Sequence, residues 1–340
     1  MTTVSFLDSH ASHAQPGHPE RPARLEAVRA EIAADPVLAA LPLLRPTPAP
    51  RVALERVHLP GYLDLVEAFC ERGGGALDVD TYATAASYDV ARRACGGVLA
   101  VVDAVLMGEA TNGFAIGRPP GHHARPAQAM GFCLLSNAAI AARHAQAAHG
   151  VDRVLVVDLD VHHGNGTQEA LYDDPSVLFV SSHQEEVYPG TGSLRETGTG
   201  PGEGFTVNLP LPAGTGDELA DLYRAVLPPL AARFRPDLVL LSFGADAHRL
   251  DPLAGLGLSV AGLAEAAGVV QEVADEHAGG RLVVTLEGGY HVDVLAAGVA
   301  AVLRRLVDPA LPIDDPFGPT VRPARDLAPL AEAVRQLHGL

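Results

Sequence analysis

The segment Val154-Leu-Val-Val-Asp158-Leu-Asp160-Val-His162-His163-Gly164-Asn165-Gly166 constrains this chain more than any other. It opens as a continuous Val/Leu run of strand length, the pattern of a strand buried on both faces of a parallel sheet. Successive side chains of a strand point to opposite faces, so Asp158, Asp160 and His162 share one face at the end of that run. Two carboxylates and an imidazole stacked there are costly unless a divalent metal or an ion network sits among them. The plain alternative is a polar stretch leaving the sheet into a wet loop. The following Gly164-Asn165-Gly166 reads as a tight turn lining a cleft.

Three further runs, Val177 to Ser181, Leu238 to Ser242 and Leu282 to Leu286, have the same buried-strand pattern. Between them lie amphipathic stretches that predict helices over Asn137 to His149, Asp217 to Phe234, Ser259 to His277 and His291 to Val307. Strand–helix alternation implies an α/β fold with a mainly parallel sheet and helices on both faces. The 340 residues suit two domains of ~150 residues or one large α/β domain. Pro42 to Pro50 and Pro309 to Pro323 read as surface connections rather than hinges, and Asp326 to Leu337 as a closing helix.

Two more strand runs end in polar residues: Leu238 to Ser242 leads to Gly244-Ala245-Asp246, and Leu282 to Leu286 leads to Glu287-Gly288-Gly289-Tyr290. Ligands of open parallel sheets bind outside the carboxyl ends of the strands. Asp246 is thereby expected to approach Asp160 and His162. One His and two Asp with a position left for water is the pattern of catalytic zinc, with iron, cobalt and manganese also compatible. His122 and His123 follow Arg118-Pro119-Pro120-Gly121, so a loop presents both rings as acid/base candidates. His10, His13 and His18 have metal-like spacing, but their loop follows no strand-end cluster.

The net charge of −17 argues against nucleic acid as a partner, since phosphate binding needs basic faces. Such a field keeps a protein soluble and draws in cationic ligands such as lysine side chains or polyamines. Cys70, Cys95 and Cys133 are scattered, so neither a disulfide framework nor a Cys-rich zinc site is expected. With no apolar run of ~18 residues and no signal-like start, the expectation is a cytoplasmic protein with no membrane contact. Gly198 to Gly204 lacks the Lys-Ser/Thr of a phosphate loop, so no nucleotide cofactor is expected.

Together, Pro119-Pro120-Gly121-His122-His123, Asp158 to Gly166, Gly244-Ala245-Asp246 and Glu287-Gly288-Gly289-Tyr290 resemble the zinc-dependent histone deacetylase family. That group includes bacterial class II-like deacetylases and acetylpolyamine amidohydrolases, with the arginase–deacetylase fold. His18 to Leu25 and Tyr188 to Gly192 also resemble family segments, and the match runs in order from about residue 5 to 310. The resemblance implies a single catalytic domain over residues 1–340, built on an eight-stranded parallel sheet, with a helical extension at 324–340.

The resemblance assigns Asp160, His162 and Asp246 to zinc, with Fe2+ or Co2+ as substitutes. His122 and His123 become the tandem acid/base pair, and Tyr290 the hydroxyl that polarises the acyl carbonyl. It implies a structural potassium held by the side chains of Asp158 and Ser181 and the carbonyls of Asp160, His162 and Ser182. Gly131, Phe132, Tyr188, Leu253 and Gly288 would line a narrow substrate tunnel. Asp158 is expected to hold His122 cationic, whereas the amide of Asn165 would orient His123 and leave it neutral. The substrate implied is an acetylated lysine in a peptide or protein, or a small acylated amine. Arg24 to Pro119 holds no long insertion, and Leu253 is apolar where a polyamine-selective pocket would be acidic; both favour acetyl-lysine. An arginase-like ureohydrolase would need more ligands, and a non-catalytic acyl-ligand binder would have no use for Tyr290.

Overall fold

Alternate side chains of each central strand enter opposite hydrophobic layers. The computed structural model describes residues 1–320 and 322–340. In chain order the strands are β1 (Thr2–Phe6), β2 (Leu43–Leu44), β3 (Gly74–Ala76), β4 (Tyr82–Thr84), β5 (Asn112–Ile116), β6 (Val154–Asp158), β7 (Val177–Gln184), β8 (Thr206–Leu211), β9 (Leu238–Phe243) and β10 (Leu282–Leu286). Eight of them form one sheet in the order β2-β1-β5-β10-β9-β6-β7-β8, and β3 and β4 form a separate antiparallel pair. Every pairing in the large sheet is parallel.

On one face, Leu155 and Val157 of β6, Leu241 of β9 and Val284 of β10 pack with helices Ala23–Ala34, Leu219–Phe234, Val260–His277 and Val292–Val307. On the other, Val154 and Val156, Leu240 and Val283 pack with helices Pro60–Glu71, Ser87–Leu106 and Asn137–His149. Burial on both faces is why these strands carry unbroken apolar runs. The last helix, Ala328–His338, packs on Leu219–Phe234, with Arg335 donating to the Ala225 carbonyl at 3.0 Å. Among the described residues, no helix is long and apolar enough to cross a membrane.

The expected helices and strands are present with ends shifted by a residue or two, except that β7 extends to Gln184. Two expectations are corrected. Pro42 to Pro50 is more than a surface connection, because Leu43–Leu44 adds the β2 edge strand to β1. Gly164-Asn165-Gly166 is not a turn alone: helix Asn165–Leu171 starts there, and the Gly166 and Thr167 amides donate to the His122 carbonyl at 2.9 and 3.1 Å. Within the segment 309–323, residue 321 lies outside the described residues; Ile313 and Phe317 pack against a small cluster around Val260.

Register positions the site. Asp158 pairs with Ser242, Phe243 with Leu286, and Thr285 with Ala115. The carboxyl ends of β5, β10, β9 and β6 are therefore four adjacent outlets, and every candidate catalytic loop leaves from one of them.

Leu240 lies fully inside, 1% exposed, at the middle of β9. Leu240→Ala should lower unfolding free energy by about 2–5 kcal/mol, read from urea melts. A loss under about 1 kcal/mol would contradict this packing.

Candidate active site

Beyond β6 the chain keeps its alternation: Leu159 and Val161 enter the core while Asp158, Asp160 and His162 turn together to the other side. Asp246, three residues past β9, meets them. His162 Nδ1 lies 3.2 Å from Asp160 Oδ1 and 3.4 Å from Asp246 Oδ2. The second oxygens are engaged elsewhere, Asp160 Oδ2 accepting from Gly288 N at 2.7 Å and Asp246 Oδ1 from Val161 N at 3.0 Å. Asp246 Oδ2 is buried without any hydrogen-bond partner.

These separations suit a cation. Bonds of ~2.0–2.1 Å in a tetrahedral site set its donors ~3.3 Å apart. The cluster also demands positive charge. Burial opposes an imidazolium at His162, yet Asp160 and Asp246 push the ring up to about 10. Burial and the Asp160 carboxylate push Asp246 up to about 7. A buried carboxylate oxygen without a donor, facing an imidazole nitrogen and a second carboxylate, fits a divalent ion with mixed N/O ligands.

The tandem histidines leave β5 in a loop pinned from below. Glu287 Oε2 accepts from Gly121 N at 2.6 Å and His122 N at 3.1 Å. His122 Nδ1 meets Asp158 Oδ2 at 3.1 Å, and His123 Nδ1 meets Asn165 Oδ1 at 2.7 Å. Their environments diverge. Burial works against charge on His122, but Asp160 and Asp158 raise it to about 10. Burial, with cationic His122 and His162 beside it, lowers His123 well below the usual imidazole range. His163, on the opposite side of the chain, is bound to Thr191 and Gln168 at 2.7 and 2.9 Å and takes no part in the cluster.

Tyr290 is set by two buried partners. Asp251 Oδ2 accepts from Tyr290 N and His291 N at 2.7 and 3.1 Å, and the Arg24 guanidinium lies 5.0 Å from the Tyr290 ring. Burial, partly offset by Arg24, raises the Tyr290 hydroxyl well above its ordinary value, so it remains a donor. Phe132 stands edge-on to Tyr290 at 5.5 Å, and Tyr188 edge-on to His123 at 5.1 Å. Gly131 is required by contact as well as by its φ of +55°, since a Cβ would overlap the His123 ring. Leu253 is 37% exposed, while Gly288 lies against the carboxylates themselves.

Ser181 Oγ is 3.0 Å from His183 Nδ1, and Ser182 Oγ is 2.6 Å from the Tyr223 hydroxyl. Among the described residues, no backbone N–H donates to the carbonyls of Asp160 or His162. The N-terminal histidines go separate ways: His13 lies between Ser87 and Glu20, His18 Nδ1 accepts from Glu20 N at 3.1 Å while Nε2 meets the Asp80 carbonyl, and His10 Nδ1 is unpartnered.

A family model described as the histone deacetylase domain matches residues 18–306. The chain belongs to the histone deacetylase family. It is similar to a histone deacetylase-like amidohydrolase of Pseudomonas aeruginosa, 40% identical over 88% of this chain and 80% of that one. It is 44% identical to the chloroplastic histone deacetylase 10 of Oryza sativa over 76% of this chain, spanning only 61% of the plant protein. The crystal structure of the HDA15 HD domain superposes with a TM-score of 0.89 at 35% identity, covering 99% of this chain and 94% of that one. The fold is the arginase–deacetylase fold.

Within this histone deacetylase fold, several supporting residues escaped sequence reasoning. Glu287 was visible at a strand end, but not its bonds to the His122 loop. Arg24 donates to the Gly289 and Glu287 carbonyls at 2.7 and 2.6 Å, and Glu20 binds both Arg24 and Arg118. Only the His18 to Leu25 segment, which resembles a family segment, hinted at such roles.

A Cβ at Gly288 would overlap Asp246 Oδ2 and Asp160 Oδ2. Gly288→Ala should therefore abolish stoichiometric divalent-metal retention, measured by elemental analysis, while the circular dichroism spectrum is kept. Full metal content in the variant would refute this cradle.

Proposed function

We propose that this chain is a zinc-dependent amidohydrolase that removes acetyl groups from lysine side chains of peptides or proteins. The observation that carries the reading is the Asp160, His162 and Asp246 donor set beside two histidines of opposite protonation preference. Asp160, His162 and Asp246 would hold the ion, with Fe2+ or Co2+ as substitutes. When bound, zinc polarises the acyl oxygen and lowers the pKa of water toward ~7. Potassium would suit the unpaired carbonyls of Asp160 and His162, completed by Asp158, Ser181 and Ser182.

Neutral His123 takes a proton from the attacking water as its oxygen bonds to the acyl carbon. The Tyr290 O–H donates to the carbonyl oxygen as charge develops there. The carbon–nitrogen bond then breaks, and His123 returns its proton to the departing amine, leaving acetate and free lysine. His122, kept cationic by Asp158, supports the developing negative charge. Phe132 and Tyr188 would grip the lysine chain, and Leu253 would meet the substrate at the mouth. The whole chain would act as a single catalytic domain in the cytoplasm.

The deciding experiment is a substrate panel of acetyl-lysine peptide, acetylputrescine and acetylspermidine, before and after chelation. Acetate release should be greatest from the peptide, vanish on chelation and return with zinc; His123→Ala should cost about 10²–10⁴-fold. Preferred turnover of acetylspermidine would move the assignment to polyamines. Activity unchanged by chelation would end the metal mechanism.

Asn165→Asp tests the base. A carboxylate at Nδ1 favours the imidazolium, raises the His123 pKa and so demands higher pH for the neutral ring. The acidic limb of kcat/KM should move to higher pH. An unmoved limb would remove His123 as the titrating base.

A further inference from the structure

At the opposite end of the sheet, two helices bring together a second set of metal-type donors. Asp103 projects from helix Ser87–Leu106, and His144 and His149 from the last turns of helix Asn137–His149. Both Nε2 atoms converge on the same oxygen, Asp103 Oδ1, at 2.6 Å from His144 and 2.7 Å from His149. One ligand atom from each residue lies within 4.8 Å of the other two. His149 precedes the start of β6, whereas Asp160 and His162 follow its end. A five-residue strand separates the two places by ~17 Å.

The imidazoles are mostly covered, 15% and 18% exposed, while Asp103 is 43% exposed and leaves one side open to solvent. Fixing two rings on one oxygen costs side-chain freedom that either ring would keep by turning outward. Two imidazole nitrogens and a carboxylate form an N/N/O set suited to zinc, cobalt, nickel or copper(II), and too nitrogen-rich for magnesium or calcium. The donors stand closer than the ~3.3 Å edge of a site with ~2.0–2.1 Å bonds. An ion entering from the open side would part the rings slightly.

We propose that Asp103, His144 and His149 form a second transition-metal site that staples these two helices together at the amino-terminal edge of the sheet. Water completes its coordination. The site contributes to stability and takes no part in amide hydrolysis.

The test uses tag-free full-length protein equilibrated with zinc, compared with His149→Gln and with Asp103→Asn, which retains an oxygen acceptor. Wild type should hold one more zinc per chain than either variant, by elemental analysis. That difference is read whether or not the buried active-site cluster is loaded. Added zinc should raise the melting temperature of wild type by several degrees more than that of either variant. Turnover of acetylated substrate should stay within twofold. Equal zinc content in all three proteins overturns the proposal and leaves a hydrogen-bonded tie between helices. So does an extra zinc that survives replacement of both histidines.

Discussion

Two carboxylates that cannot both stay charged in a dry site unless a cation joins them organise this molecule. Asp160 and Asp246 are fully buried; Asp160 accepts a backbone amide at each oxygen and Asp246 at one, and each turns an oxygen toward the His162 ring. Repulsion between such groups in a medium of low polarity is severe. The surrounding backbone shows how closely the space is reserved, since Cβ atoms at Gly244 or Gly288 would overlap the carboxylates.

Strand order turns that local demand into a convergent site. The outlets of β5, β10, β9 and β6 are neighbours, so residues far apart in sequence meet without long loops. Buried polar groups then lock each loop to the next: Glu287 holds the tandem-histidine loop, Asp251 holds the Tyr290 backbone, and Arg24 grips the carbonyls on either side of Gly288. Each lock is a side chain bonded to the backbone of another segment, so the rings it positions are held in place before any ligand is bound.

Much of this was legible in the sequence. Unbroken apolar runs mark β6, β9 and β10, and alternation alone separates His162 from His163. The strands that escaped notice lack those runs. Thr2–Phe6 buries Thr2 and Thr3 by bonding their hydroxyls to the carbonyls of Leu306 and Pro42. Asn112–Ile116 carries Gly113 where a Cβ would press on Val101 and Thr3. Thr206–Leu211 tolerates Pro210 because β8 is an edge strand. The roles of Asp251 and Glu287 were hidden for a similar reason: their partners are backbone amides of distant segments, which no local pattern marks.

Anomalous diffraction at the zinc edge from crystals of catalytically active protein tests the account most directly. A peak ~2.0–2.2 Å from His162 Nδ1 and from one carboxylate oxygen each of Asp160 and Asp246 is the predicted result. Active crystals with no density among these three residues would contradict it.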